Sequence, residues 1–152
     1  MKIYDTLSSF SNQDEGGVIM FGVDEKNGFA VTGVYDAADI QKKIQGKCRE
    51  MEPEIRPVLS VGAIDGKQVV AAEIQGVEKA DRPVFYRPAG INKGSYIRIG
   101  DSDEHMTAYE IYKYQAYRKG LKEDQRPVKD GWVLRNGELM NKYLSTVKAS
   151  RI

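Results

Sequence analysis

The stretch Ser9-Phe10-Ser11-Asn12-Gln13-Asp14-Glu15-Gly16-Gly17-Val18-Ile19-Met20-Phe21-Gly22-Val23-Asp24 decides the reading of the fold. Leading into it, Ile3, Leu7 and Phe10 recur at helical spacing and predict a first helix over 2–13. Gly16-Gly17 ends that helix. Val18 to Val23 is then a continuous apolar run, the pattern of a strand covered on both faces. Asp24 to Gly28 carries an Asn-Gly turn signal, and Phe29 to Tyr35 returns as the second strand of a β-hairpin.

Outward from this block the order continues in the same style. Asp36 is placed to cap a helix over 37–50 whose buried stripe is Ile40, Ile44, Cys48 and Met51. Pro53 and Pro57 stop it, because proline removes a donor and disfavours helix at the preceding residue. Val58–Ile64 and Gln68–Ile74 flank Asp65-Gly66, a strong hairpin signal. Short strands are expected near 84–86 and 95–99, joined by an exposed Gly/Pro/Asn-rich loop, Arg87 to Gly94. Thr107-Ala108-Tyr109-Glu110 has the capping-box spacing and starts a helix to about Lys119, with Gly120 as its C-cap. The expected class is α/β of the mixed α+β kind: a mixed sheet with hairpins, packed by three to four helices. One domain over 1–121 is followed by a polar linker, 122–136, and a C-terminal helix within 137–152 carrying Leu139, Met140, Tyr143, Leu144 and Val147.

A chain of 152 residues with 41% hydrophobic and 30% charged residues fits one ordinary globular domain. No apolar run approaches the roughly 20 residues of a membrane helix, so no membrane partner is expected. The lone Cys48 can form no internal disulfide, which suits the reducing cytoplasm. Twenty-three basic against twenty-two acidic side chains leave a net charge of +1. A surface that gripped phosphates everywhere would be far more basic, so a nucleic-acid role has to rest on a local patch.

Several chemistries have no residues to carry them. A zinc site needs several nitrogen or sulfur ligands, and the chain offers only His105 and Cys48. A nucleophilic triad would have to use the same His105, with no Gly-x-Ser-x-Gly elbow present. Gly62 to Gln68 superficially resembles a phosphate loop, but it has one residue too few and Gln68 where Ser or Thr should reach magnesium. The acids Asp14, Glu15, Asp24 and Glu25 surround the first strand, where such clusters can hold magnesium or manganese through oxygen ligands, but the same pattern describes a solvated turn and a helix end, which is the expected reading. No cofactor and no metal ligand set is expected.

Ser9-Phe10-Ser11-Asn12, then Gly16-Gly17 to Gly22-Val23-Asp24, then Gly94-Ser95-Tyr96-Ile97-Arg98-Ile99-Gly100 resemble the Schlafen AlbA-like domain of bacterial transcriptional regulators. The likeness covers roughly residues 3–120. It implies an α/β domain that binds DNA, sometimes filed under a divergent ATPase name that no motif here supports. In eukaryotic Schlafen relatives the domain is an RNA endonuclease with three acids. Two belong to a Glu-x-x-x-x-Glu-Phe-Lys strand before the first helix, and the third is the aspartate matched here by Asp24. The chain begins after the place of that strand, so Asp24 is expected as a remnant acid and not as a catalytic residue.

Three functional readings follow. Arg82, Arg87, Lys93 and Arg98, interleaved with Phe85, Tyr86 and Tyr96, suit phosphates and stacked bases and mark the expected nucleic-acid face, for DNA or RNA. The alternative for these arginines is pairing with the acids of 101–104. The basic set Lys42, Lys43, Lys47 and Arg49 reads as the solvated face of its helix. The second reading is a metal-dependent RNA endonuclease lacking its glutamate strand. The third is an oligomerising module: Val18–Val23 is expected at an unguarded sheet edge, and Tyr109, Tyr112, Tyr114 and Tyr117 crowd one helix, which predicts a homodimer.

Overall fold

The computed structural model describes residues 1–124. Helix α1 spans Tyr4–Ser11 and ends at Asn12. Strand β1, Gly17–Phe21, follows immediately. Gly16 adopts a φ of +65° and packs against the end of the later strand at Ile74, where a Cβ would strike the Ile74 carbonyl oxygen. A Cβ at Gly17 would strike the Phe10 ring. The Gly-Gly pair is thus what allows helix and strand to fold back so closely.

The apolar run is broken after Phe21 by Gly22, at a φ of +98°, and resumes as the two-residue strand β2, Val23–Asp24. β2 pairs with β3, Ala30–Val31, across a 3₁₀ turn at Glu25–Asn27. The return strand expected over Phe29 to Tyr35 is therefore only two residues long. Helix α2, Ala37–Arg49, starts where expected, with the Asp36 carboxylate accepting from the Asp39 N–H at 3.2 Å. β4, Met51–Glu52, leads to the β-hairpin of β5, Val58–Ile64, and β6, Lys67–Ile74. Asp65 and Gly66 both take positive φ, 53° and 75°, the geometry for which an Asp-Gly turn is suited.

β1, β6 and β5 form an antiparallel sheet in that order, which leaves β1 and β5 at its edges. Its inner face sets Ile19 and Phe21 beside Val70, Ala72 and Leu59, packed on Leu7, Ile44, Cys48 and Met51. The opposite face is open: Val18 is 55% exposed and Met20 44%, with Val58 and Ile64 on the same side. A strand covered on both faces was expected; among the described residues β1 is covered on one.

The remaining strands are short. β7, Phe85–Tyr86, pairs with β4, and β8, Tyr96–Ile99, pairs with β9, Ser102–His105. The two strands expected to share a loop meet only at a single bridge, Phe85 to Ser95. Between them lie a 3₁₀ turn, Arg87–Ala89, and the single-turn helix α3, Ile91–Gly94. The acidic segment after β8 forms strand β9, set against β8 by an Arg98–Asp103 cross-strand pair. Helix α4, Ala108–Asp124, begins with the expected capping box, Thr107 Oγ1 accepting from the Glu110 N–H at 3.2 Å and Glu110 Oε1 from the Thr107 N–H at 2.8 Å. It continues through Gly120, a site open enough that the missing side chain costs only helix propensity, about 1 kcal/mol. The start of the expected linker, 122–124, is thereby helical, and the rest of it and the helix expected over 137–149 lie outside the described residues. The class is α+β, with several small antiparallel sheets in place of one mixed sheet.

Candidate nucleic-acid interface

The end of α1 is polar and faces inward. Ser8, Ser9 and Ser11 have no exposed surface, and Asn12 retains 3%. Burying such groups costs several kcal/mol unless each finds a partner. Ser8 and Asn12 find theirs in the backbone of Val84 and Tyr96 and Ser9 in Asp103, whereas the Ser11 hydroxyl has none among the described residues. Asn12 Oδ1 accepts from the Val84 N–H at 2.7 Å, while Asn12 Nδ2 donates to the Val84 and Tyr96 carbonyls at 3.1 and 3.0 Å. Ser8 Oγ donates to the Val84 carbonyl at 2.7 Å and accepts from the Tyr96 N–H at 2.9 Å. Two side chains thus bridge segments that lack a ladder of their own. Beside them Asp103 accepts from Thr6 Oγ1 at 2.7 Å, Ser9 Oγ at 2.5 Å and Arg98 at 2.8 Å. Burial alone would raise its pKa, but the hydrogen bonds from Ser9, Arg98 and Thr6 outweigh that and hold it below the ordinary carboxylate value.

This joint takes up much of the expected binding face. Arg98 is spent on Asp103 and sits 5.3 Å from the Phe10 ring centroid. Its cleft of about 410 Å³, beside the free edge of β1, also holds Glu25 and Asp101. Arg82 is 7% exposed; its guanidinium donates to the Val77 carbonyl and to Asp14 Oδ1 at 2.7 Å. Burial opposes its charge, but hydrogen bonds with Asp14 and Tyr114 more than offset this, so Arg82 stays charged in place. Tyr96 is buried, its ring 4.4 Å from His105 and 6.1 Å from Tyr4, which in turn stacks on Tyr86 at 4.3 Å. Its phenol is pushed up by that burial and by the neighbouring Tyr4 and Asp5. Such a ring offers no face to a base.

Arg87 and Lys93 are different. Both are exposed on the segment that links β7 to β8. Arg87 leans on Glu52 at 3.3 Å and donates to the Met51 carbonyl at 2.9 Å, leaving its side chain half in solvent. The expected face therefore splits: Arg82, Tyr96 and Arg98 hold the fold, while Arg87 and Lys93 face outward. Lys42, Lys43 and Arg49 lie exposed on α2 or at its end, with Lys43 paired to Asp39 at 3.0 Å. Asp24 accepts from the Lys26 N–H at 3.1 Å and Asn27 Nδ2 at 2.8 Å and so caps the turn that follows it. Among the described residues no three His, Cys, Asp or Glu side chains lie together as a metal site.

Sequence reasoning missed the joint of Thr6, Ser8, Asn12 and Asp103. Its only signal was a helix rich in serine, which hydrophobic periodicity passes over. An α+β module whose Ser-x-x-x-Asn helix end stitches two distant strands, with a Gly-Gly turn behind it, is the class these features define. The chain belongs to the Schlafen, AlbA_2 family, whose model matches residues 1–107. Solved structures share the fold. DIP2311 of Corynebacterium diphtheriae superposes with a TM-score of 0.53 at 18% identity, over 76% of this chain and 19% of that protein. The N-terminal domain of a RecG-related protein from Nitrosomonas europaea gives a TM-score of 0.50 at 22% identity, over 69% of this chain and 74% of that domain. This chain thus spans about a fifth of the length of DIP2311. A comparison with curated proteins gives no match. No described helix is long and apolar enough to cross a membrane.

Proposed function

We propose that this chain is a nucleic-acid-binding module of a cytoplasmic transcription regulator, with Arg87 and Lys93 as its phosphate contacts. The observation that carries this reading is the split within the basic set: Arg87 and Lys93 alone keep outward-facing charge, on one short segment. Family membership supports it, as does likeness to the N-terminal domain of a protein whose name ties it to an ATP-dependent DNA helicase. Guanidinium and ammonium groups displayed this way neutralise phosphates and release counterions. An anisotropy titration of labelled mixed-sequence oligonucleotides against salt tests it. Arg87→Ala/Lys93→Ala is expected to weaken binding and flatten the log-log slope by about two units. Equal binding by wild type and double variant refutes the assignment.

A second reading, homodimerisation, is favoured by the bare outer face and free edge of β1, where Val18 and Met20 meet solvent with no Pro or Lys to guard them. Sedimentation at micromolar concentration tests it: a Met20→Lys variant is expected to be monomeric where the wild type dimerises, and a wild type that stays monomeric contradicts it.

A further inference from the structure

Helix α4 lies beyond the family-matched residues, and it carries two stripes instead of one. Ile111 is buried, and Tyr114 and Arg118 are half-buried on the same side. The Arg118 guanidinium is tied to the Ala80 and Arg82 carbonyls at 2.8 and 2.9 Å, which anchors the helix. The other side shows Tyr109 at 67% exposure, Tyr112 at 62% and Tyr117 at 40%, with Lys113 and Ala116 between them. Positions 109, 112, 113, 116 and 117 are the i, i+3, i+4, i+7, i+8 set that shares one helix face. On an ordinary surface helix that set would be the buried one. Here it is the wet one.

Cations accompany the rings. Lys79 lies 4.9 Å from the centroid of Tyr117, and Lys113 lies 5.5 Å from that of Tyr109. The acid of this neighbourhood on α4, Glu110, is already engaged by the Thr107 N–H and hydroxyl, so its charge is directed at the helix start. A cleft of about 640 Å³ runs from Lys79 and Ile97 past Lys113 to Tyr114 and Tyr117, large enough for a nucleotide. From Tyr109 to Tyr117 the helix advances about 12 Å, a span of two to three nucleotides on an extended strand.

We infer that this α4 stripe is a stacking surface for the bases of single-stranded nucleic acid, with Lys79 and Lys113 contacting the phosphates. Aromatic faces stack on any base, and lysines between them track the backbone without reading sequence. The inference rests on the nucleic-acid reading above and adds a second contact region to it, one that recognises unpaired bases. Paired bases present no face to such a stripe, so duplex should bind it poorly.

The test uses the full chain and three labelled probes: (dT)15, a 15-mer with abasic sites throughout, and a duplex of the same length. Wild type is expected to bind (dT)15 about tenfold more tightly than the abasic strand, because stacking contributes on that scale. Tyr109→Ala/Tyr112→Ala, at exposed sites that leave the fold intact by circular dichroism, is expected to erase that preference. Lys79→Ala/Lys113→Ala is expected to lower the salt slope on both single strands while keeping the preference. Tyrosine variants that discriminate as wild type does would overturn the inference; if Arg87→Ala/Lys93→Ala still weakens binding, the nucleic-acid reading survives without the stripe. A tyrosine variant that changes the sedimentation of the protein but not its binding would also overturn it, by marking the stripe as a protein contact. Wild type that binds none of the three probes would overturn both.

Discussion

Helices α1 and α4 invert the usual arrangement in opposite senses. The first buries serine and asparagine; the second exposes tyrosine. At the end of α1, Ser8, Ser9 and Asn12 meet partners fixed by the fold, namely Val84, Tyr96 and Asp103, so these buried polar groups tie the helix to distant backbone, while the Ser11 hydroxyl stays unpartnered among the described residues. On α4 the exposed rings have lysines beside them and no described core residue over them. The difference separates two uses of an unexpected side chain: one completes the structure, the other leaves surface for a partner.

Substitutions should break this contrast cleanly. Asn12→Ala is expected to cost about 3 kcal/mol in urea unfolding, since it orphans the Val84 N–H and the Tyr96 carbonyl in the interior and leaves the Val84 carbonyl to Ser8 alone. Tyr112→Ala should stay within about 0.5 kcal/mol of wild type in the same assay. Similar losses at the two sites would mean that α4 is packed as tightly as α1.

Asp103→Asn sharpens the picture of the joint, with an expected loss of about 1–2 kcal/mol at neutral pH from the weakened bonds to Arg98, Ser9 and Thr6. Its depressed pKa sets the sign of the pH dependence. Folding favours the ionised form, so the stabilisation is complete above the unfolded-state carboxylate value and is lost as pH falls through that value and the lower folded one. Acid titration of wild-type stability should show a decline in that window, and Asp103→Asn should remove its own share of it. An unchanged acid limb would mean that the carboxylate is not held ionised by the joint.

The regular parts of this architecture were legible because their signals are local. Asp36 before α2, Asp65-Gly66 between β5 and β6 and Thr107 to Glu110 at α4 each combine a residue type with a fixed short spacing. The joint was not, because its partners are remote: Asn12 reaches Val84 and Tyr96 across 72 and 84 positions. The same remoteness hides which arginines the fold engages. Arg82, Arg87 and Arg98 look alike along the chain; the acids of 101–104 offered Arg98 a near partner, but only the fold brings Asp14 to Arg82 and leaves Arg87 half in solvent. Residues 84–86 and 95–99 looked like one hairpin because they are neighbours in sequence, yet β4 and β9 compete for them and win.

The smallest expected effect concerns Cys48. Its thiol lies buried against the core and burial pushes its pKa up to about 11, so it should resist Ellman's reagent in the native protein. Asn12→Ala, by loosening the joint, should make that thiol react faster, whereas Tyr112→Ala should not.

The nucleic-acid account is tested most directly by ultraviolet cross-linking of the full chain to a single-stranded oligonucleotide carrying 5-bromodeoxyuridine, followed by peptide mapping. Cross-links at Tyr109, Tyr112 or Tyr117, lost on competition with unlabelled (dT)15 but not with duplex, are the predicted result. Cross-links confined to the open face of β1 at Val18 and Met20, or none at all, would contradict it.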